Sequence, residues 1–378
     1  MSTVVHLNNA GAALPPRVVV DTVVEHLRAE ELRGGYEVQT AAADRIEGTY
    51  HSIASLIGAR ADEIALVENA TRGWDMAFYG FRFDAGQRLL TSRSEYASNS
   101  LAFQQVAARS GVVVEAVDDD GTGVLDVADL RRRLAAGDVA LVAITHVPTH
   151  NGLVNPAAEI GAACRAAGVP FLLDACQSVG QLPVDVREIG CDLLAATGRK
   201  WLRGPRGTGF LYVSRDFDLE PPFVDLRAVE WPTPAGYRIR PDARRFEGWE
   251  SAIGGRLGLG AAVDYALGVG IAAIAARVQA LAGQLRTGLA ELPGVRVLDV
   301  GKAQCGIVTF RVDGVDPEDV VRSAAAGGVT INVGSAATAT YDRANVVLQP
   351  VARASPHYYN TEDELLALLA ALPPARSR

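Results

Sequence analysis

The chain has 378 residues, 49% hydrophobic and 21% charged, which is long enough for a large core and too long for one simple core. A formal charge of −8, scattered arginines and a single basic run at 131–133 that reads as a solvated helix end speak against a nucleic-acid partner. No charged segment followed by an apolar core opens the chain, and Asp264 and several glycines interrupt the apolar stretch 257–276, so neither a signal peptide nor a membrane span is expected.

In chain order, strand-like apolar runs are expected at 64–67, 88–91, 112–117, 140–144, 170–173, 192–195 and 209–213. Helical patterns at 72–81 and 98–110 separate the first three. Near-continuous apolar strands spaced by helices mean a mostly parallel sheet covered on both faces. Such sheets bind ligands at the carboxyl ends of their strands. A break rich in proline and arginine falls around 214–256. Beyond it we expect a long helix to about residue 292, strand-like segments at 295–300 and 306–312, and a final helix at 362–372. These fit a smaller α+β domain. A Gly-x-Gly-x-x-Ala match at 268–273 lies inside a helical pattern with no strand before it, so it is rejected as a dinucleotide fingerprint. The cysteines Cys164, Cys176, Cys191 and Cys305 form no C-x-x-C pair, which points to a reduced, cytoplasmic protein without structural zinc.

Each notable group of residues sits just after one of the apolar runs. In ENATRGW, Asn69, Ala70 and Thr71 start a helix whose free N–H groups and dipole suit an anion; an ordinary N-cap explains the same residues. In SEYASN, Tyr96 offers a flat face to an aromatic ligand, or is a plain core tyrosine. In LLDACQSVG, Asp174 ends an apolar run, so it is expected to be partly buried and to need a partner. A cationic ring nitrogen is one such partner. The alternative is a helix cap, with Gln177 at capping-box spacing. Lys200 follows one crossover later, flanked by Thr197 and Arg199, which suit a phosphate. Carboxylate, aromatic face, phosphate cradle and amine together meet the needs of pyridoxal 5′-phosphate.

The stretches LNNAGAALPP, ENATRGW, SEYASN, ITHVPTHNGLVNP, LLDACQSVGQLPVDV, ATGRKWLRGPRGTGFLYV and VARASPHYYNTEDE span nearly the whole chain. On them the chain resembles the class V, fold-type I pyridoxal-phosphate enzymes. That family includes cysteine desulfurases, selenocysteine lyases, isopenicillin N epimerase-like proteins and ergothioneine-type C–S lyases. The resemblance implies an α/β fold with a mostly parallel, seven-stranded-type sheet in a large domain (16–255) and a small α+β domain (1–15 and 256–378). It implies that Lys200 holds the cofactor as a Schiff base and shuttles protons, that Asp174 pairs with the pyridinium, and that Gln177 approaches the ring hydroxyl. Ala70, Thr71, Thr197 and Arg199 would bind phosphate. Tyr96 stands where many relatives stack a histidine, and Thr149 where desulfurases usually have asparagine near the cofactor oxygen. Arg353 would clamp a substrate carboxylate, and Asn9 and its neighbours would line the substrate entrance.

Departures from the pattern shape the expected reaction. The position comparable to the desulfurase nucleophile falls near Ala337, and no cysteine follows Cys305. The expectation is therefore β-elimination from an S-substituted cysteine, giving thiol, pyruvate and ammonia, and not persulfide formation. Oxidative decarboxylation-deamination, transamination and epimerisation are the alternatives. A silent binding protein on this fold is disfavoured by the intact Lys200, Asp174 and Arg353. Tyr36, Arg33, His146, His150, Trp249, Ser335 and Tyr358 are candidates for reading the substrate side chain, with Tyr36 placed in the substrate site. The segment RFEGWESAIGG, with Glu250 or Ser251, replaces the family's usual phosphate contact from a second subunit. A homodimer with shared active sites is expected, with no metal, nucleic acid or membrane.

Overall fold

The computed structural model describes residues 4–233, 236–334 and 350–376. Ser335 and Ala337 lie outside the described residues.

The seven apolar runs form one sheet in the order Ile64–Val67, Gly209–Val213, Leu193–Thr197, Phe171–Asp174, Val139–Thr145, Arg88–Ser92 and Val113–Val117. All neighbouring pairs are parallel except those made by Gly209–Val213, which runs antiparallel to both its neighbours. Alternate residues feed two cores, as the two-residue period of a strand requires. Leu66, Leu90, Val142, Leu173 and Phe210 enter one; Ala65, Leu89, Leu141, Leu172 and Leu211 enter the other. Burial on both faces is why these strands read as continuous apolar runs rather than as alternation.

A second sheet has four strands, in the order Val295–Val297, Val308–Val312, Val351–Ala354 and Asn332–Gly334. Its core includes Leu281, Leu285, Phe310, Ala352 and Leu368. The amino-terminal Val5–His6 pairs in parallel with Val329–Thr330 and contributes Leu7 to this core.

Two expectations change. The long helix is two helices, Ile253–Val269 and Ile271–Glu291, bent by 80° at Gly270, whose φ of 92° favours a residue without Cβ. Among the described residues no single helix is long and apolar enough to cross a membrane. Between residues 17 and 57 the chain forms three helices that the apolar pattern did not announce, Arg17–Arg33, Gly35–Ala41 and Ala43–Ile57. Val18, Val20 and Val24 are exposed on the first of them. β-Branched residues on the outer face blur the helical period.

Candidate active site

Asn69 accepts the Arg72 N–H at 2.9 Å and so caps the helix Ala70–Phe78. The cap puts Ala70 and Thr71 in the first turn, as the motif led us to expect. Both border a pocket of about 290 Å³ at the carboxyl ends of the central strands. Thr197, Arg199 and Lys200 enter from the end of Leu193–Thr197, and Asp174 and Gln177 from the end of Phe171–Asp174. Tyr96 and Thr149 complete the expected set, so every residue assigned above to the cofactor lines this one cavity. Glu68, Cys176 and Arg206 line it too and were not singled out for it. Arg206 sits in GPRG, where an arginine reads as solvated.

Lys200 is one of two lysines in the chain; the other is Lys302, which is exposed. Desolvation holds the Lys200 amine below the usual lysine range. Arg199 and Arg353 push the same way, and Cys176 and Asp174 oppose them. Asp174 is buried, and both its oxygens are held: Oδ1 accepts the Cys176 N–H at 3.0 Å and Oδ2 the Asn99 amide at 3.0 Å. The Cys176 thiol is pushed well above the ordinary range by burial and by Asp174. Gln177 is already committed. Its Nε2 donates to the Ala10 carbonyl at 3.1 Å and to the Thr149 hydroxyl at 3.3 Å, and its Oε1 accepts from Trp201 at 2.8 Å. It ties the residue after Lys200 to the pocket wall.

Arg353 is 6% exposed and donates through Nη1 to the Thr149 carbonyl at 3.0 Å and to the Thr149 hydroxyl. Its buried Nε has no partner. Burial lowers this guanidinium to about 10, a sign of a cation without a counter-charge. A substrate carboxylate supplies one. The buried His146 and the half-buried His150 are lowered to about 4 by desolvation, with Arg353 adding to the effect on His150.

Two expected substrate residues are placed elsewhere. Asn9 is fully buried; it donates to the Ser355 carbonyl at 2.7 Å and accepts from the Tyr359 hydroxyl at 2.5 Å. It fastens the amino-terminal segment to the second sheet and does not line the entrance. Its neighbours do reach the site, Ala10 through Gln177 and Asn8 through a 3.5 Å contact with Arg353. Tyr36 is 71% exposed and lines a different cavity, of about 680 Å³, with Trp249, Glu250 and Ser251. Tyr358 accepts from Arg203 at 2.8 Å.

The geometry agrees with comparison against known proteins. The family model for Aminotransferase class-V matches residues 5–368. The chain belongs to this family. A probable cysteine desulfurase of Pyrococcus abyssi is 30% identical over 380 residues, covering 98% of this chain and 93% of that protein. The apo structure of the cysteine desulfurase of Thermococcus onnurineus NA1 superposes with a TM-score of 0.89 at 28% identity, covering 97% of this chain and 93% of that one. The cystine C–S lyase C-DES, solved with its reaction product cysteine persulfide, gives 0.86 at 25% identity and covers 97% and 96%.

This class V enzyme is pyridoxal-phosphate dependent, and the donor set fits that cofactor. A capped helix start and two arginines suit its phosphate, a buried carboxylate its ring nitrogen, and a desolvated amine its aldehyde. The expected elimination without persulfide chemistry is overturned. Relatives from archaea and bacteria are named probable cysteine desulfurases across nearly the whole chain. The missing cysteine after residue 305 was too narrow a ground for excluding that class. C-DES itself yields a persulfide as product.

Proposed function

We propose that this class V enzyme transfers the sulfur of L-cysteine to a thiol supplied from outside its pocket, so that the thiol becomes a persulfide and L-cysteine becomes alanine. The observation that carries the reading is the desolvated Lys200 amine in one pocket with Asp174, near the Arg353 guanidinium whose Nε has no partner, in a chain whose relatives are named for cysteine desulfuration. Pyridoxal phosphate, when bound, supplies an aldehyde for the amino group and a ring that draws electrons from the α-carbon. Arg353 binds the substrate carboxylate through its unpaired Nε, with Thr149 fixing the other side of the guanidinium. Lys200, held toward its neutral form by desolvation, is the base for the α-proton and the acid that returns it.

The test is incubation of the holoenzyme with L-cysteine, with and without an added thiol acceptor. Alanine and sulfane sulfur in equal amounts are expected, the sulfur appearing as sulfide only where excess thiol reduces the persulfide and is itself oxidised to disulfide. Pyruvate and ammonia in place of alanine overturn the reading.

We also propose a homodimer. Tyr36 and Trp249 share a cavity outside the Lys200 pocket while remaining 71% and 54% exposed, and Leu226 and Trp231 are exposed on the segment before it. A second copy covering this face supports the shared-site arrangement. Light scattering on the eluting protein is expected to give twice the chain mass; a monomer at micromolar concentration defeats the proposal.

A further inference from the structure

Behind Asp174 lies a second carboxylate that the reaction above does not use. Glu95 is 1% exposed, at the junction of Arg88–Ser92 and Ala97–Ser110. Donors converge on it from three elements. The Tyr96 N–H and the Asn99 amide lie at 2.8 Å. The Thr91 hydroxyl and the Thr145 N–H lie at 3.1 Å, and the Thr145 hydroxyl donates as well. None of these donors is a cation. The same Asn99 nitrogen reaches Asp174 Oδ2 at 3.0 Å, so one amide joins two buried carboxylates.

Two carboxylates out of water oppose each other unless a positive charge joins them. The surrounding groups supply little. His146, next to Thr145, is kept neutral by burial, at about 4. Cys176, next to the Asp174 segment, stays a thiol. Tyr96 contributes its N–H. Lys200, which faces Asp174, is held toward its uncharged form. Without a ligand a proton on Glu95 relieves the pair; a cationic ligand supplies the charge in its place.

We propose that Glu95 is a positioning residue for the cofactor. Through the shared Asn99 amide it fixes the Asp174 carboxylate and adds a second negative charge behind it, so the pocket selects a ring protonated on nitrogen. Burial, with repulsion from Asp174, raises Glu95 to about 7 against the pull of its donors. A cation entering the pocket lowers it again. Cofactor binding then releases a proton from Glu95 and tightens as pH rises through neutrality.

The test uses apoprotein titrated with pyridoxal phosphate, followed by tryptophan fluorescence and by nitrogen NMR of the 15N-labelled ring. Glu95→Gln is expected to weaken cofactor binding about tenfold, the equivalent of one pK unit, and to move the ring signal toward its unprotonated position. The rise in affinity between pH 6 and 8 flattens relative to wild type. An amide placed against the Thr145 N–H strains the nest, so Asn99→Ser is the companion variant. It keeps both carboxylates and cuts their link, and is expected to shift both readouts in the same direction by less. Folded variants with wild-type affinity and an unmoved ring signal overturn the proposal and leave Glu95 a structural anchor. Neither readout involves cysteine turnover, so this proposal and the sulfur reading fail independently.

Discussion

At the scale of single residues, the site depends on a lysine that is uncharged more readily than lysines in water. Burial disfavours the ammonium, and Arg199 and Arg353 add to that, so the neutral amine is populated at lower pH than usual. With two lysines in the chain, covalent chemistry at this residue is easy to trace. Borohydride reduction of the holoenzyme followed by peptide mapping is expected to put a pyridoxyl mass on the Lys200 peptide and none on Lys302. Lys200→Ala is expected to lose the adduct and to lower turnover by about 10²-fold or more, the usual scale for removing a general base. An adduct on Lys302 in wild type sinks the assignment. Single residues also mark what the sequence hid. Lys200 and Asp174 stood out as ionisable groups close to apolar runs, and Arg353 through the family resemblance alone. Glu95 stood equally close to one, in SEYASN, yet a glutamate at a strand–helix junction reads as solvated until the strands bring Thr145 and Asp174 around it. Asn9 misled for the opposite reason: an amide near an entrance motif is buried, with the carboxy-terminal segment as its partner.

At the scale of elements, the helix start that suits a phosphate is laid against a strand. Gly209 opens the strand Gly209–Val213 where it crosses the beginning of the helix Ala70–Phe78. A Cβ there would meet the Ala196 carbonyl oxygen at 2.7 Å and the Ala70 nitrogen and Asn69 carbonyl carbon at 3.0 Å, all backbone atoms. Backbone on two sides cannot yield as a side-chain tip does. Gly209→Ala is therefore expected to push the helix start off the sheet, costing about 1–3 kcal/mol of stability and weakening cofactor affinity more than it slows the loaded enzyme. Urea unfolding and a cofactor titration check it; unchanged values in both remove Gly209 from the cradle. The strands themselves were legible because all but the edge strand Val113–Val117 are largely buried on both faces and all are short enough to show as apolar runs. The helices over residues 17–57 were not, because much of their packing is against the later helix Ile253–Val269, which local sequence does not display. The break at Gly270 was visible only as one glycine among several in a helical pattern.

At the scale of the whole molecule, Glu247 gathers distant parts of the chain at one buried carboxylate. Oε1 accepts the Tyr50 hydroxyl at 2.7 Å and the Leu66 N–H at 2.9 Å; Oε2 accepts Arg227 at 3.2 Å and Arg256 at 3.4 Å. The helix Ala43–Ile57, the edge strand Ile64–Val67 and the helix Ile253–Val269 meet there, beside the face proposed for the second copy. Removing the carboxylate leaves Arg227 and Arg256 without their anion and the Tyr50 hydroxyl and Leu66 N–H without this acceptor. Glu247→Ala is expected to cost about 3–5 kcal/mol, read as a lower urea midpoint. Tyr50 adds a pH signature. Burial first, then Glu247, raises its phenol from the ordinary 10.0 to about 12. The folded protein thus keeps a proton that the unfolded chain gives up, so this stabilisation is complete below pH 10 and drains away as pH climbs toward 12. In Tyr50→Phe no phenol titrates, and the fall in stability across that window is expected to be shallower than in wild type, although the variant starts lower. Parallel slopes in the two proteins break the link between Tyr50 and Glu247, and with it the claim that this carboxylate holds the helices to the sheet.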